Sequence, residues 1–185
     1  MQTQVYLDRQ EAIYDELSLV ARCRYRDEVA MDALVSRHRM RLIRVAANVL
    51  RDQHEAEDVA QEAFLKAFRE IGKLRDDRAF AGFIYRICVR LCMDRLRSRK
   101  TSSEIVELGD GTTGSRIETK ILVERLLGKL SPELRMTLVL REMEQLSYDE
   151  VADVMKVPVG TVRSRLHAAR EKFRGYWIDA TKEAR

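Results

Sequence analysis

The stretch from Leu146 to Arg170, Leu-Ser-Tyr-Asp-Glu-Val-Ala-Asp-Val-Met-Lys-Val-Pro-Val-Gly-Thr-Val-Arg-Ser-Arg-Leu-His-Ala-Ala-Arg, narrows what this chain can fold into more than any other. Ser147 and Glu150 make the S-x-x-E pattern that opens a helix by satisfying its first free N–H groups. Tyr148, Val151, Ala152 and Met155 then recur at the spacing of a helix with one buried face. Lys156-Val157-Pro158 breaks that helix. Beyond the break Val162, Leu166, Ala169 and Phe173 define a second apolar seam, leaving Arg163, Ser164, His167, Ala168 and Glu171 outward. A capped helix, a tight turn and a second helix with outward polar side chains form the arrangement that enters the DNA major groove.

Composition agrees with a wholly helical protein. Only two prolines and eight glycines occur in 185 residues, and runs of alternating β-branched residues are scarce. The net charge is only +4 although 35% of residues are charged, so basic character is concentrated locally. No run approaches the ~20 apolar residues that span a bilayer, and the first residues lack the apolar core of a secretory signal. A cytoplasmic protein without membrane insertion is therefore expected. Three cysteines, Cys23, Cys88 and Cys92, do not suit a disulfide framework. Cys88 and Cys92 share a stripe with Phe80, Ile84, Ile87 and Leu91, which reads as core packing. The three histidines make no metal or catalytic pattern, and no cofactor, metal or catalytic residue is expected.

Two helix-rich blocks flank a weak segment. Residues 100–116, rich in Gly, Ser and Thr and without an apolar period, read as a flexible linker. The expected organisation is a short extension over 1–14, a four-helix bundle over 15–99, the linker, and a four-helix domain with the helix-turn-helix over 117–185. In the first block helices are expected over about 15–25, 27–50, 55–71 and 78–99. In the second, Ile117, Ile121, Leu122, Leu126 and Leu130 mark one helix. Ser131-Pro132-Glu133 opens the next, with serine as cap and proline in the first turn.

Three surfaces are candidates for binding. Arg163, on the recognition helix, suits a bidentate contact to guanine, worth ~1–3 kcal/mol of discrimination. Arg165, Arg170, Lys172 and Arg174 lie to its sides and suit phosphates or plain surface charge. On the fourth helix Arg86, Arg90 and Arg97 share a face edged by Phe83. That stripe suits a single strand whose bases stack, and equally a core phenylalanine beside solvated arginines. Asp58, Gln61, Glu62 and Leu65 form an exposed stripe on the third helix, which is either a solvated face or a dock for a basic protein surface.

The pattern as a whole resembles the extracytoplasmic-function sigma factors of bacterial RNA polymerase. The resemblance rests on Glu55-Ala-Glu-Asp-Val-Ala-Gln-Glu-Ala-Phe-Leu-Lys-Ala67, Phe80-Ala-Gly-Phe-Ile-Tyr-Arg-Ile, Asp94-Arg-Leu-Arg, Leu130-Ser-Pro-Glu-Leu and Pro158-Val-Gly-Thr-Val-Arg-Ser-Arg-Leu, and runs from about Asp15 to Phe173. It implies a sigma-2-like first block that binds core polymerase and the −10 promoter element, and a sigma-4-like second block that binds the −35 element. By that resemblance Asp58, Gln61, Glu62 and Leu65 dock on the polymerase clamp helices. Arg75, Asp76, Asp77 and Phe80, in the segment from Leu74 to Phe80 that resembles a base-capturing loop, join Phe83, Arg86, Arg90 and Arg97 on the single-stranded −10 element. Thr161, Arg163, Ser164, Arg165, His167 and Arg170 meet the −35 duplex. The linker acids Glu104, Glu107 and Asp110 would mimic nucleic-acid charge, and an anti-sigma protein is an implied partner.

The chain departs from the family pattern at Phe83, usually tryptophan, at Arg90, usually asparagine, and at Ala168, often arginine. The alternative reading is a stand-alone helix-turn-helix regulator, which requires a dimer surface and gives the Asp58–Gln61 stripe no purpose. A nucleic-acid enzyme requires clustered acids or metal ligands, and no such cluster stands outside that stripe.

Overall fold

A computed structural model describes residues 15–101 and 115–183. The N-terminal extension and the linker acids Glu104, Glu107 and Asp110 lie outside the described residues. Every regular element among the described residues is helical. Helix α1 covers residues 15–23, α2 Glu28–Leu50, α3 Gln53–Glu70 and α4 Phe80–Thr101. Two 3-10 turns, Ile71–Lys73 and Asp77–Ala79, link α3 to α4. The second block holds α5 (Ser115–Gly128), α6 (Pro132–Leu138), a π turn (Val139–Met143), α7 (Tyr148–Met155) and α8 (Val159–Glu183). The regions expected to be helical are helical. The first helix ends two residues early, at 23, α4 runs on to Thr101 and α5 starts at Ser115, so helix enters both ends of the expected linker.

Local chemistry sets the boundaries. Asp27 caps α2 by accepting from Ala30 N at 3.1 Å, and Asp52 caps α3 by accepting from Glu55 N at 2.9 Å. Between them Arg51 turns the chain in the left-handed region (φ 61°) and sends its N–H to Ala47 O. Ser131 caps α6 with Pro132 in its first turn, as its sequence requires. On α2 Leu34, His38, Leu42, Val45 and Val49 are buried and Met31, on the same face, is half-buried. Cys23, Cys88 and Cys92 are buried free thiols.

The two blocks share one apolar core. Helix α4 packs along α7, while α2 packs on α6 and on the π turn. Polar groups bridge the same seam. Arg135 on α6 is buried and donates to Leu127 O, Gly128 O and Leu130 O, and across the seam to Val49 O. The Leu127, Gly128 and Val49 carbonyls belong to the C-terminal ends of α5 and α2, where no intrahelical donor remains, and Leu130 O to the turn that leads into α6. One guanidinium thus terminates a helix in each block.

Candidate nucleic-acid interface

The recognition element is built as its sequence dictates. Ser147 Oγ accepts from Glu150 N at 3.2 Å, and Glu150 Oε2 accepts from Ser147 N at 2.7 Å, a reciprocal cap worth about 1 kcal/mol. Lys156 ends α7 in the left-handed region (φ 55°), and its N–H returns to Ala152 O. Pro158 O then accepts from Thr161 N and Val162 N, which starts α8. Val162, Leu166 and Ala169 are buried, so Arg163, Ser164 and His167 point outward and are exposed. Thr161 and Arg165 are half-buried at the flanks.

Arg170 is placed differently from a plain phosphate contact. It donates from Nη2 at 2.5 Å and from Nε at 3.1 Å to Glu142 Oε1 on the π turn. This pairing holds its pKa above the ordinary value, and any phosphate must compete with that carboxylate.

Helix α8 also runs well past the apolar seam expected for it, to Glu183. Its extension stacks Trp177 on Phe173, with centroids 6.4 Å apart. Both rings line an apolar groove of about 520 Å³ with Val123, Leu127 and Leu138.

In the first block the loop before α4 is pinned from a distance. Arg24 Nη2 donates to Leu74 O and to Asp77 Oδ1, both at 2.6 Å, and its Nη1 donates to Ile71 O. Asp77 is therefore a structural anchor, committed to Arg24. Asp76 caps the short turn by accepting from Arg78 N at 3.0 Å, and Arg75 is exposed beside it. Phe80 requires a correction. Its side chain is 0% exposed and packs edge-on against His38 at 5.7 Å, so it sets the start of α4 and offers no face to a base. Sequence reasoning missed Arg24 because nothing local marks it: its carboxylate partner lies 53 residues away.

Along α4 the four remaining candidates separate. Phe83 is half-buried, with the Arg86 guanidinium 6.0 Å from its ring centroid. Arg86 also pairs with Asp153 of α7. Arg90 and Arg97 are exposed and share Asp94, at 3.9 and 3.3 Å. Such solvated pairs are weak and leave both arginines available to phosphates.

The α3 stripe forms one wall of a groove of about 490 Å³. Asp58, Gln61 and Leu65 line it with Phe68, opposite Val35 and Arg39 of α2. Leu65 is 58% exposed, a large apolar side chain left uncovered next to acids. Glu62 stands apart from that lining. Lys66 at 2.8 Å and Arg95 at 3.2 Å hold it, Lys66 foremost in depressing its carboxyl pKa.

A two-domain helical DNA-binding factor with an exposed acidic–apolar groove is the class this geometry defines. Residues 34–101 match sigma-70 region 2 and residues 120–173 match sigma-70 region 4. The chain belongs to the sigma-70 family of RNA polymerase sigma factors, in its extracytoplasmic-function group. It is 36% identical to the RNA polymerase sigma-H factor of Pseudomonas aeruginosa, over 83% of this chain and 89% of that one. It is 34% identical to the extracytoplasmic-function RNA polymerase sigma-E factor of Escherichia coli K12, over 87% and 93% respectively. Among solved structures it is similar to CnrH in complex with the cytosolic domain of CnrY. That match has a TM-score of 0.71 and 26% identity, over 90% of this chain and 98% of the other.

No helix among the described residues is long and apolar enough to cross a membrane.

Proposed function

We propose that this chain is the promoter-specificity subunit of a bacterial RNA polymerase, acting by binding and carrying no catalytic chemistry of its own. The groove lined by Asp58, Gln61 and Leu65 docks on the polymerase core, with acids for basic partners and an uncovered leucine for apolar contact. Residues 15–99 carry the −10 surface, with Arg75, Asp76, Phe83, Arg86, Arg90 and Arg97 toward a single strand. Residues 117–185 carry the −35 surface, with Arg163, Ser164 and His167 toward base edges and Thr161 and Arg165 at the flanks. Residues 100–116 tether the two, so a second engagement becomes intramolecular once the first has formed. Capture of unstacked bases by the first block favours the melted promoter.

The observation that carries this reading is the presence, on one chain, of an uncovered acidic–apolar groove and an exposed recognition face. A stand-alone regulator needs only the second. An anti-sigma protein is a further partner, supported by the CnrY-bound state of the similar CnrH.

Run-off transcription with purified bacterial core polymerase on a randomised promoter library tests the proposal. Transcripts starting downstream of a shared −35/−10 pair are the expected result. Failure of the chain to associate with core at low ionic strength overturns it, as does tight sequence-specific DNA binding by the chain alone.

A further inference from the structure

The segment from Ile71 to Ala79 carries no aromatic residue, and Phe80, which follows it, is buried against His38. A site that holds an unstacked base needs a ring or a guanidinium plane for the base to lie on. A ring stands on the neighbouring turn. Tyr25, between α1 and α2, is 88% exposed, and Val29, in the first turn of α2, is 70% exposed. An aromatic ring is among the largest apolar surfaces a side chain can bury. This one packs on almost nothing among the described residues.

The residue before it ties that turn to the loop. Arg24 donates to Ile71 O at 3.2 Å, and to Leu74 O and Asp77 Oδ1, both at 2.6 Å. The turn that carries the ring and the loop that precedes α4 therefore move as one unit, so a strand laid on the loop passes beside Tyr25.

The charges around this unit suit a polyanion. Each tied residue is followed within two positions by an exposed arginine: Arg24 by Arg26, Leu74 by Arg75, Asp77 by Arg78. No carboxylate among the described residues holds any of the three. The nearby acids are engaged, Asp27 with Arg22, Asp77 with Arg24, and Glu70 with Lys73. Asp76 caps its turn on Arg78 N, and Glu28 sits in the first turn of α2, where the helix dipole favours an anion. A ring among three available guanidiniums matches a strand whose bases stack and whose phosphates pair.

We propose that Tyr25 is a stacking platform for the unpaired promoter base next to the one held by the Leu74–Phe80 loop, with Arg26, Arg75 and Arg78 on the flanking phosphates. The proposal rests on the promoter-binding reading and extends its single-strand surface from α4 to the turn between α1 and α2.

Holoenzyme assembled from bacterial core polymerase and the full chain tests it. The probe is a promoter fragment from the run-off selection, with its −10 region held open by mismatches and 2-aminopurine placed in turn at each unpaired non-template position. Stacking on a ring quenches that fluorophore. Tyr25→Ala is expected to restore fluorescence at one position and to weaken fragment binding roughly tenfold, within the range for one stacked base. Tyr25→Phe should keep both the quenching and the affinity, because the ring is used and the hydroxyl is not. An abasic site at the quenched position should cost the parent holoenzyme the same factor and cost Tyr25→Ala nothing further.

Tyr25→Ala and abasic losses that simply add overturn the stacking contact. Weaker association of Tyr25→Ala with core polymerase in the absence of DNA assigns the ring to a protein contact and overturns the proposal. Tyr25→Ala equal to the parent at every position overturns it and leaves the promoter function standing, since the parent holoenzyme still binds the fragment. A parent chain that forms no holoenzyme, or a holoenzyme that does not bind the fragment, overturns the promoter reading and this inference with it.

Discussion

Arg135 Nη1 donates to the carbonyl oxygen of Val49 at 2.7 Å, across 86 residues of chain. The other nitrogens of the same guanidinium serve the last carbonyls of α5 and Leu130 O in the turn after it, so the side chain caps two helices from two domains. Burial, with the neighbouring Arg51 charge adding to it, lowers the Arg135 pKa to about 10. That is still above neutral pH, so the group works as a cation. Its planar fork, more than its charge, is what the site uses.

Arg135→Lys should therefore be costly although the charge is kept. An ammonium has three donors on a single nitrogen and cannot reach carbonyls spread around a fork. One or two buried carbonyls would lose their partner, a loss of ~2–4 kcal/mol. Urea unfolding followed by circular dichroism measures it, and a midpoint equal to that of the parent chain would show that other donors or water replace the fork.

Asp58→Ala should weaken association with core polymerase while leaving the thermal transition unchanged, because the side chain is exposed on the groove wall. Leu65→Ser should act in the same direction through lost apolar contact. Competition for core against a labelled sigma factor reads both. Unchanged competition by the two variants would move the docking surface elsewhere.

Arg163→Ala should relax −35 preference at one position by ~1–3 kcal/mol, the range for a bidentate contact to guanine. Among the described residues no carboxylate holds Arg163, so nothing need be broken before it reaches a base. Arg170→Ala should differ, because its pairing with Glu142 makes it a brace inside the domain. Selection from the promoter library by each variant separates the two roles. An unchanged consensus with Arg163→Ala would assign base reading to another side chain.

Glu16 links stability to pH. The His38 imidazole facing it at 3.3 Å, and then Arg37, hold its carboxyl below the ordinary value of 4.5, against the opposing effect of burial. A depressed folded-state pKa contributes stability that is complete above the unfolded value and is lost as pH falls through the folded one. Thermal melts of the parent chain and Glu16→Gln should therefore differ at neutral pH and converge below about pH 4.5, the ordinary carboxyl value. A constant difference across that window would place the stabilisation outside this pair.

Much of the site was legible because its signals are short-range. The caps at Ser147 and Ser131, the apolar seam of Val162, Leu166 and Ala169, and the acid-edged stripe on α3 each involve residues a few positions apart. Phe80 carried two readings, a place on the core stripe of α4 and a place in a base-capturing segment, and burial against His38, 42 residues upstream, decides for the core. Asp77, Glu62 and Arg170 read as binding residues in the sequence, and in the structure Arg24, Lys66 with Arg95, and Glu142 hold them.

What the chain determined alone is its helical character, its capped turns and which face of each helix is apolar, since periodicity and capping act over three or four residues. Tertiary structure alone decided that the two blocks share a core, that Glu144 is buried against Arg44 and Tyr85, and that Arg86 is spoken for by Asp153. A charged side chain on a helix reads identically in sequence whether water or a distant carboxylate will satisfy it. The difference appears only when folding removes the water.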